Sequence, residues 1–379
     1  MKIAYISLFY SRDNMSGVEK KLREEAPYYV DKGIDVYLLN RKQEGFIDNI
    51  FYKKVDQYFS MGRFFELYLR IFTFSVIEKI IDLEKYDRIY LRYPMMDFSA
   101  VSFAKKYGYK VITQHHTKEL EEIKKLNLNK LFKTSQYIME KFLAPHFFKY
   151  ISGLTAMSDD VLAYEKERVS FKGKLHRFSN GINPRKFIMH KVPKLHDVFH
   201  LTIIASSFSP WHGLDRLIKS LMFYHDTRYK IHLHVVGEVS NNTRLLIGKC
   251  KENENIIVLL HGKLFGQDLD EVFSTTHVAC DSLAMHRLEM KESSTLKSKE
   301  YIARGIPFIY SAFDQDMQNI KRYLYDVKNN ESLIDLQKII SFYKSLEFKN
   351  MQKDMERCVE EVLTWRIKIE HLVVFLRKK

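Results

Sequence analysis

A parallel α/β architecture built as two Rossmann-like halves is the fold class predicted by these 379 residues. Three observations carry it. In both halves short apolar runs alternate with longer amphipathic stretches, the pattern of strands joined through helices. The pattern pauses at a Pro-containing segment, residues 191–197, and restarts at residue 200, which places a linker near the middle of the chain. Residues 292–307 read as a turn that feeds a short helix and then a buried strand, the arrangement in which such sheets hold anions.

Composition sets the bounds. With 46% hydrophobic residues the chain can fill ordinary globular cores, and its length suits two or three domains. Lys and Arg number 61 against 47 Asp and Glu, so the net charge of +14 attracts something anionic: nucleic acid, a membrane surface or phosphorylated substrates. Cys250, Cys280 and Cys358 show no metal-ligand or CxxC spacing, which points to a reducing cytoplasm. Residues 1–7 lack a long apolar core and a cleavage site, so no signal peptide is expected, and no uncharged apolar run reaches about 18 residues.

The first half reads as strand 2–7, a turn through Asn14-Met-Ser-Gly17, helix 18–32 and strand 35–39. The aromatic stretch 64–79 is apolar on most of its circumference, as core helices are. Strands follow at 86–92, ending in Arg92, and at 110–114, ending in His115-His116 at the carboxyl edge where ligands collect. Residues 124–149 carry six lysines and one acid, Glu140, interleaved with leucines and phenylalanines. Such a helix either rests on an anionic leaflet or packs on the sheet with its lysines in water. A strand at 153–158 and the turn Asn180-Gly-Ile-Asn183 close the half.

The second half gives strands at 200–205, 231–236, 256–260 and 278–280, with helices at 214–223 and 269–274, then the motif. Ser293, Ser294 and Thr295 are N-cap types for a helix beginning at Leu296. Lys297, in the first turn, opposes the helix dipole and makes better sense beside an anion. Glu300 can accept from the two hydroxyls of a ribose, and Glu292 can do the same for a sugar. Gly305 allows a left-handed exit into the strand that starts at Ile306. The final helices begin near residue 351.

The pair Glu292 and Glu300, with Glu300-Tyr-Ile-Ala-Arg-Gly-Ile-Pro307, resembles the Glu-x7-Glu signature of family-4 glycosyltransferases, in the variant of bacterial surface-polysaccharide clusters. Ser16-Gly-Val-Glu19, His116-Thr117, Asn180-Gly-Ile-Asn183 and Trp211-His-Gly-Leu-Asp-Arg-Leu-Ile218 resemble further motifs of that family in the right order. The resemblance implies a GT-B fold: two Rossmann-like domains facing across a cleft, with an acceptor domain (1–190), a nucleotide-sugar domain (191–350) and C-terminal helices (351–379) crossing back. It implies retaining, metal-independent transfer from a nucleotide sugar, UDP-linked, to a lipid-linked saccharide in capsule or lipopolysaccharide synthesis. That work is done in the cytoplasm, at the inner face of the membrane, without nucleic acid. Carried over residue by residue, it puts Gly17 near the donor phosphates and His116, or else His115, beside the transferred sugar. It puts Glu292 on the sugar hydroxyls, Glu300 on the ribose and the nucleotide base near Gly262 and Lys263. The diphosphate falls on Ser294, Thr295, Leu296 and Lys297.

One departure stands out. The family's phosphate-neutralising arginine and lysine are replaced by Ser206 or Ser207 and by His212. Arg216, one turn past His212, is the expected substitute charge. Two further readings stay open, a non-catalytic accessory subunit and a nucleotide-sugar epimerase. The strings Asp268-Leu-Asp270 and Asp314-Gln-Asp316 suggest a metal-dependent enzyme, but the first reads as a helix start, and no metal is expected.

Overall fold

The computed structural model describes residues 1–9, 17–58, 68–69, 71–125, 130–226, 228–250 and 252–378. Two compact units emerge, one of residues 1–179 with 365–379 and one of residues 180–364.

The strands of the first unit are β1 (Ile3–Phe9), β2 (Ile34–Asn40), β3 (Gly45–Ile47), β4 (Ile50–Lys54), β5 (Arg88–Arg92), β6 (Val111–His115), β7 (Gly153–Ala156) and β8 (Lys174–Arg177). They lie in the order β3-β4-β2-β1-β5-β6-β7-β8. All neighbours are parallel except the β3–β4 hairpin. Its helices are α1 (Gly17–Asp31), α2 (Thr73–Ile80), α3 (Ala100–Tyr107), α4 (Glu119–Lys125), α5 (Lys130–Phe148) and α6 (Asp159–Arg168).

In the second unit β9 (Val198–Ser207), β10 (Lys230–Glu238), β11 (Ile256–Gly262), β12 (Val278–Cys280), β13 (Phe308–Tyr310) and β14 (Leu324–Asp326) form a parallel sheet. Its order is β11-β10-β9-β12-β13-β14. The accompanying helices are α7 (Leu214–Met222), α8 (Asn241–Cys250), α9 (Gly266–Thr275), α10 (Leu296–Ala303), α11 (Leu336–Lys344) and α12 (Phe348–Cys358). The last helix, α13 (Trp365–Arg377), belongs to the first unit.

The core follows from two periodicities. Along β10, Ile231, Leu233 and Val235 alternate onto the buried side, where they meet Leu214, Leu217, Ile218 and Leu221 of α7 at helical spacing. The first unit's core sets Ile3, Tyr5, Val36 and Leu38 against Leu22 and Ala26 of α1 and Ile369, Leu372 and Leu376 of α13.

Several boundaries differ from the sequence expectation. The units divide at 179/180 and 364/365 instead of 190/191 and 350/351. Val192 and Leu195 explain the first shift, because both pack on the second unit's core. Met351 and Met355 of α12 explain the second, lying among Ile302, Phe308 and Ile320. The expected helix at 64–79 is α2 from Thr73, anchored by Phe74, Val76 and Ile77; residues 64–67 and 70, like Asn14 and Ser16 of the first turn, fall outside the described residues. The β3–β4 hairpin, β8, β14, α3, α6, α8 and α11 were not anticipated. Among the described residues no helix is long and apolar enough to cross a membrane.

Candidate active site

Within the second unit the motif forms a single structure. Thr295 is the N-cap of α10, its hydroxyl accepting from the Ser298 amide at 3.1 Å. The amides of Leu296 and Lys297 are therefore the first-turn donors, which have no partner inside a helix. The Lys297 side chain is only 10% exposed, and its ammonium lies 3.7 Å from Asp281 with no hydrogen-bond partner. Burial lowers its pKa, with Asp281 opposing the shift. An ammonium that is desolvated, unbonded and at the positive end of a helix is unfavourable on every count but one.

His212 stands beside it. The backbone carbonyls of His212 and Trp211 accept from the amides of Leu283 and Ala284 at 3.0 and 3.1 Å, which fixes this turn against the loop after β12. Gly213 makes the closeness possible: its φ is 69°, and a Cβ there would come within 2.9 Å of the Leu283 backbone. The His212 Nδ1 accepts from the Ser209 amide at 2.9 Å. Burial first, and then the Lys297 charge, press its pKa down to about 3. The ring is thus neutral, with its proton on Nε2 as a donor. Lys297, whose charge reaches His212, the His212 Nε2–H and the two first-turn amides are the donors that this part of the second unit can offer to phosphate oxygens.

Other expected donors are placed differently. Arg216 is a correction: it is 2% exposed, and its guanidinium donates to the carbonyls of Ser332 at 2.7 Å and Leu283 at 2.5 Å. It braces the loops and presents no charge to a ligand. The Ser294 hydroxyl accepts from the Asn180 amide at 3.2 Å, and its carbonyl accepts from the Asn180 side chain, so the Asn180-Gly-Ile-Asn183 turn docks on the motif. The Thr295 hydroxyl donates to Asp281 at 2.7 Å. Both hydroxyls are internal, which leaves the backbone as the motif's means of reaching an anion.

Glu300 receives the Arg304 Nε at 2.9 Å, and Glu292 receives the Gln315 side-chain amide at 3.1 Å while its own backbone bridges Phe313. Ser206 and Ser207 are exposed at the end of β9. Gly262 has φ 68° and open space beside it, and Lys263 pairs with Glu238 at 2.6 Å. Gly237, directly after the strand expected at 231–236, has φ 132° and passes so close that a Cβ would lie 1.7 Å from the Ala205 carbonyl. Three of the four acids in the two Asp-x-Asp strings are engaged by cations, Asp270 by Arg304, and Asp314 and Asp316 by Lys299. Asp281, Lys297's counter-ion, went unnoticed for want of any motif around it.

In the first unit Gly17 begins α1, and the loop before it lies outside the described residues. Of the two histidines, His115 is 1% exposed and its ring stacks on Tyr93, whereas His116 just past the strand end is half-buried. Arg92 donates to the His116 Nε2 at 2.8 Å, and because a guanidinium only donates, that nitrogen is the acceptor and Nδ1 bears the proton. Burial, and then the charges of Arg92 and Lys21, hold the His116 pKa well below its ordinary value.

Comparison with known proteins gives the same fold throughout. Residues 15–186 match the model of Glycosyltransferase Family 4. Among curated protein sequences there is no significant match. A glycosyltransferase from Rickettsia africae superposes with a TM-score of 0.66 at 16% identity, covering 99% of this chain and 97% of that one. WaaG, a glycosyltransferase involved in lipopolysaccharide biosynthesis, gives 0.66 at 14%, covering 99% and 100%. HepE from Anabaena, in complex with UDP and glucose, gives 0.62 at 13%, covering 100% of both chains. The chain thus has the GT-B fold over its whole length, and within it residues 15–186 are similar to Glycosyltransferase Family 4.

Proposed function

We propose that this chain is a retaining glycosyltransferase that moves a sugar from a UDP-linked donor to a lipid-linked saccharide in bacterial surface-polysaccharide synthesis. The observation that carries the reading is the Lys297 ammonium, buried without a hydrogen bond beside the His212 donor and the first turn of α10. A diphosphate there would receive the charge and the hydrogen bonds that the protein leaves unmade. HepE's complex with UDP and glucose, and WaaG's part in lipopolysaccharide biosynthesis, support the donor and the pathway class.

As the anomeric bond opens, negative charge gathers on the leaving diphosphate, and the fixed donors of this corner stabilise it more than the ground state. Glu292 holds sugar hydroxyls and Glu300, braced by Arg304, holds the ribose. The chain's own cations and helix amides replace a metal ion in this scheme.

Membrane attachment is part of the proposal. Leu131, Ile138 and Phe142 of α5 are 82%, 48% and 62% exposed, on a helix that also exposes Lys130 and Lys141 and is followed by exposed Lys149. An anionic leaflet would cover this apolar stripe and attract the lysines. A second reading, the accessory subunit, is favoured by the inward turn of Arg216, which leaves Lys297 and a neutral histidine in place of two fixed charges.

The test is a panel of nucleotide sugars with release of nucleotide as the readout. Release that disappears in Lys297→Ala and Glu292→Ala supports transfer. Interconversion of sugars with the nucleotide intact supports an epimerase, and inertness toward the whole panel supports the accessory subunit.

A further inference from the structure

We propose that the first unit contains a structural site for one divalent first-row metal ion, formed by His115 at the end of β6, Glu119 at the start of α4 and Glu165 on α6. Their ligand atoms lie within 4.8 Å of one another, and all three residues are buried. His115 Nδ1 is 2.6 Å from Glu119 Oε1 and 3.9 Å from Glu165 Oε2.

Two features distinguish this cluster from an ordinary hydrogen-bonded knot. The first is which atoms are already taken. The His115 Nε2 is held by the Thr113 hydroxyl at 3.0 Å, so Nδ1 is the nitrogen turned toward the acids. Arg168 donates to Glu165 Oε2, while Glu165 Oε1 and Glu119 Oε2 are buried and receive no donor from outside the cluster, the two carboxyls pairing with each other. His115 and Glu165 therefore each have one atom fixed from outside the cluster, the outer support usual around bound metals, while Glu119 is held by His115 alone. The second feature is charge. Glu119, Glu140 and Glu165 surround a single guanidinium, Arg168, which bonds both Glu140 and Glu165. Three buried carboxyls thus face one guanidinium. A divalent cation would answer that excess of acids. One imidazole and two carboxylates suit zinc, manganese or cobalt better than magnesium.

A metal here would tie β6, α4 and α6 together directly beneath His116. The existence of the site does not depend on the function proposed above.

The experiment uses the full chain, expressed in medium supplemented separately with zinc, manganese or cobalt salts, dialysed against EDTA and assayed for metal by mass spectrometry. About one equivalent retained is expected, with visible ligand-field absorption from the cobalt form. Glu119→Gln, which preserves shape and hydrogen bonding, should lose the metal and the absorption, and so should His115→Gln. If either variant fails to fold, the wild-type content and cobalt spectrum still decide. Less than a tenth of an equivalent of every metal in wild type, or metal retained undiminished by a folded Glu119→Gln, overturns the site and leaves a cluster balanced by protons.

Discussion

Replacing Arg216 by methionine separates two roles that the sequence alone cannot tell apart. If the guanidinium braces loops, the change strips the Leu283 carbonyl, which is buried, and the Ser332 carbonyl, which is partly exposed, of their donors. A hydrogen bond from a charged group is worth about 1.5–3 kcal/mol, and a buried carbonyl left unpaired costs about 1–3 kcal/mol. Methionine retains most of the stem, so little cavity is added. The two bonds together put the loss at about 3–5 kcal/mol, which for a domain of this size lowers the melting temperature by about 10 °C. Differential scanning calorimetry measures that drop, and calorimetric titration with UDP measures affinity well below the new transition. The reasoning predicts a large fall in melting temperature with UDP affinity within about threefold of wild type. Unchanged stability with affinity reduced a hundredfold would falsify it and return Arg216 to the phosphates.

Lys297→Met should do the reverse, lowering UDP affinity at least about a hundredfold, since charge-assisted contacts to phosphate are lost, while the urea midpoint holds or rises; a parallel loss of stability counts against an anion-holding role. Gly213→Ala forces a side chain to φ 69° and to within 2.9 Å of the Leu283 backbone, so urea denaturation should register a loss of about 2–3 kcal/mol. Acid should weaken the second unit through its histidines. Burial holds His234 at about 3 and His277 at about 4, below the ordinary 6.5. The unfolded chain then takes up more protons as pH falls below 6.5, and stability declines by up to about 1.4 kcal/mol per pH unit for each group; a flat urea midpoint from pH 6.5 to 4.5 would refute this. Ile138→Ser with Phe142→Ser should reduce binding to anionic vesicles at least tenfold without altering the melting temperature, each apolar side chain being worth about 1.5–3 kcal/mol in transfer.

What could be read from the sequence was what local chemistry determines. The Thr295 cap, the start of α10 at Leu296, the left-handed Gly305 and the strand Val278–Cys280 each depend on a few neighbouring residues, and each stands where it was expected. The role of Arg216 was hidden because its partners lie 67 and 116 positions away in loops with no signature. Asp281 was hidden for the same reason, as was the row of imidazoles in which His234 bonds both His200 and His261, because it exists only once β9, β10 and β11 lie side by side. The division between units misled because residues 191–197 have a linker's composition but two apolar side chains that find a core.

The helix α13 imposes an order on synthesis. Trp365, Ile369, Leu372 and Leu376 are needed to finish a core whose other walls come from the first 178 residues, most of them from the first forty. A ribosome delivers the N-terminal strands first and must deliver α13 before they can be sealed, so the unit translated second can fold before the unit translated first. The amino-terminal sheet waits meanwhile with apolar surface uncovered, and this is the interval in which a chaperone would be most needed.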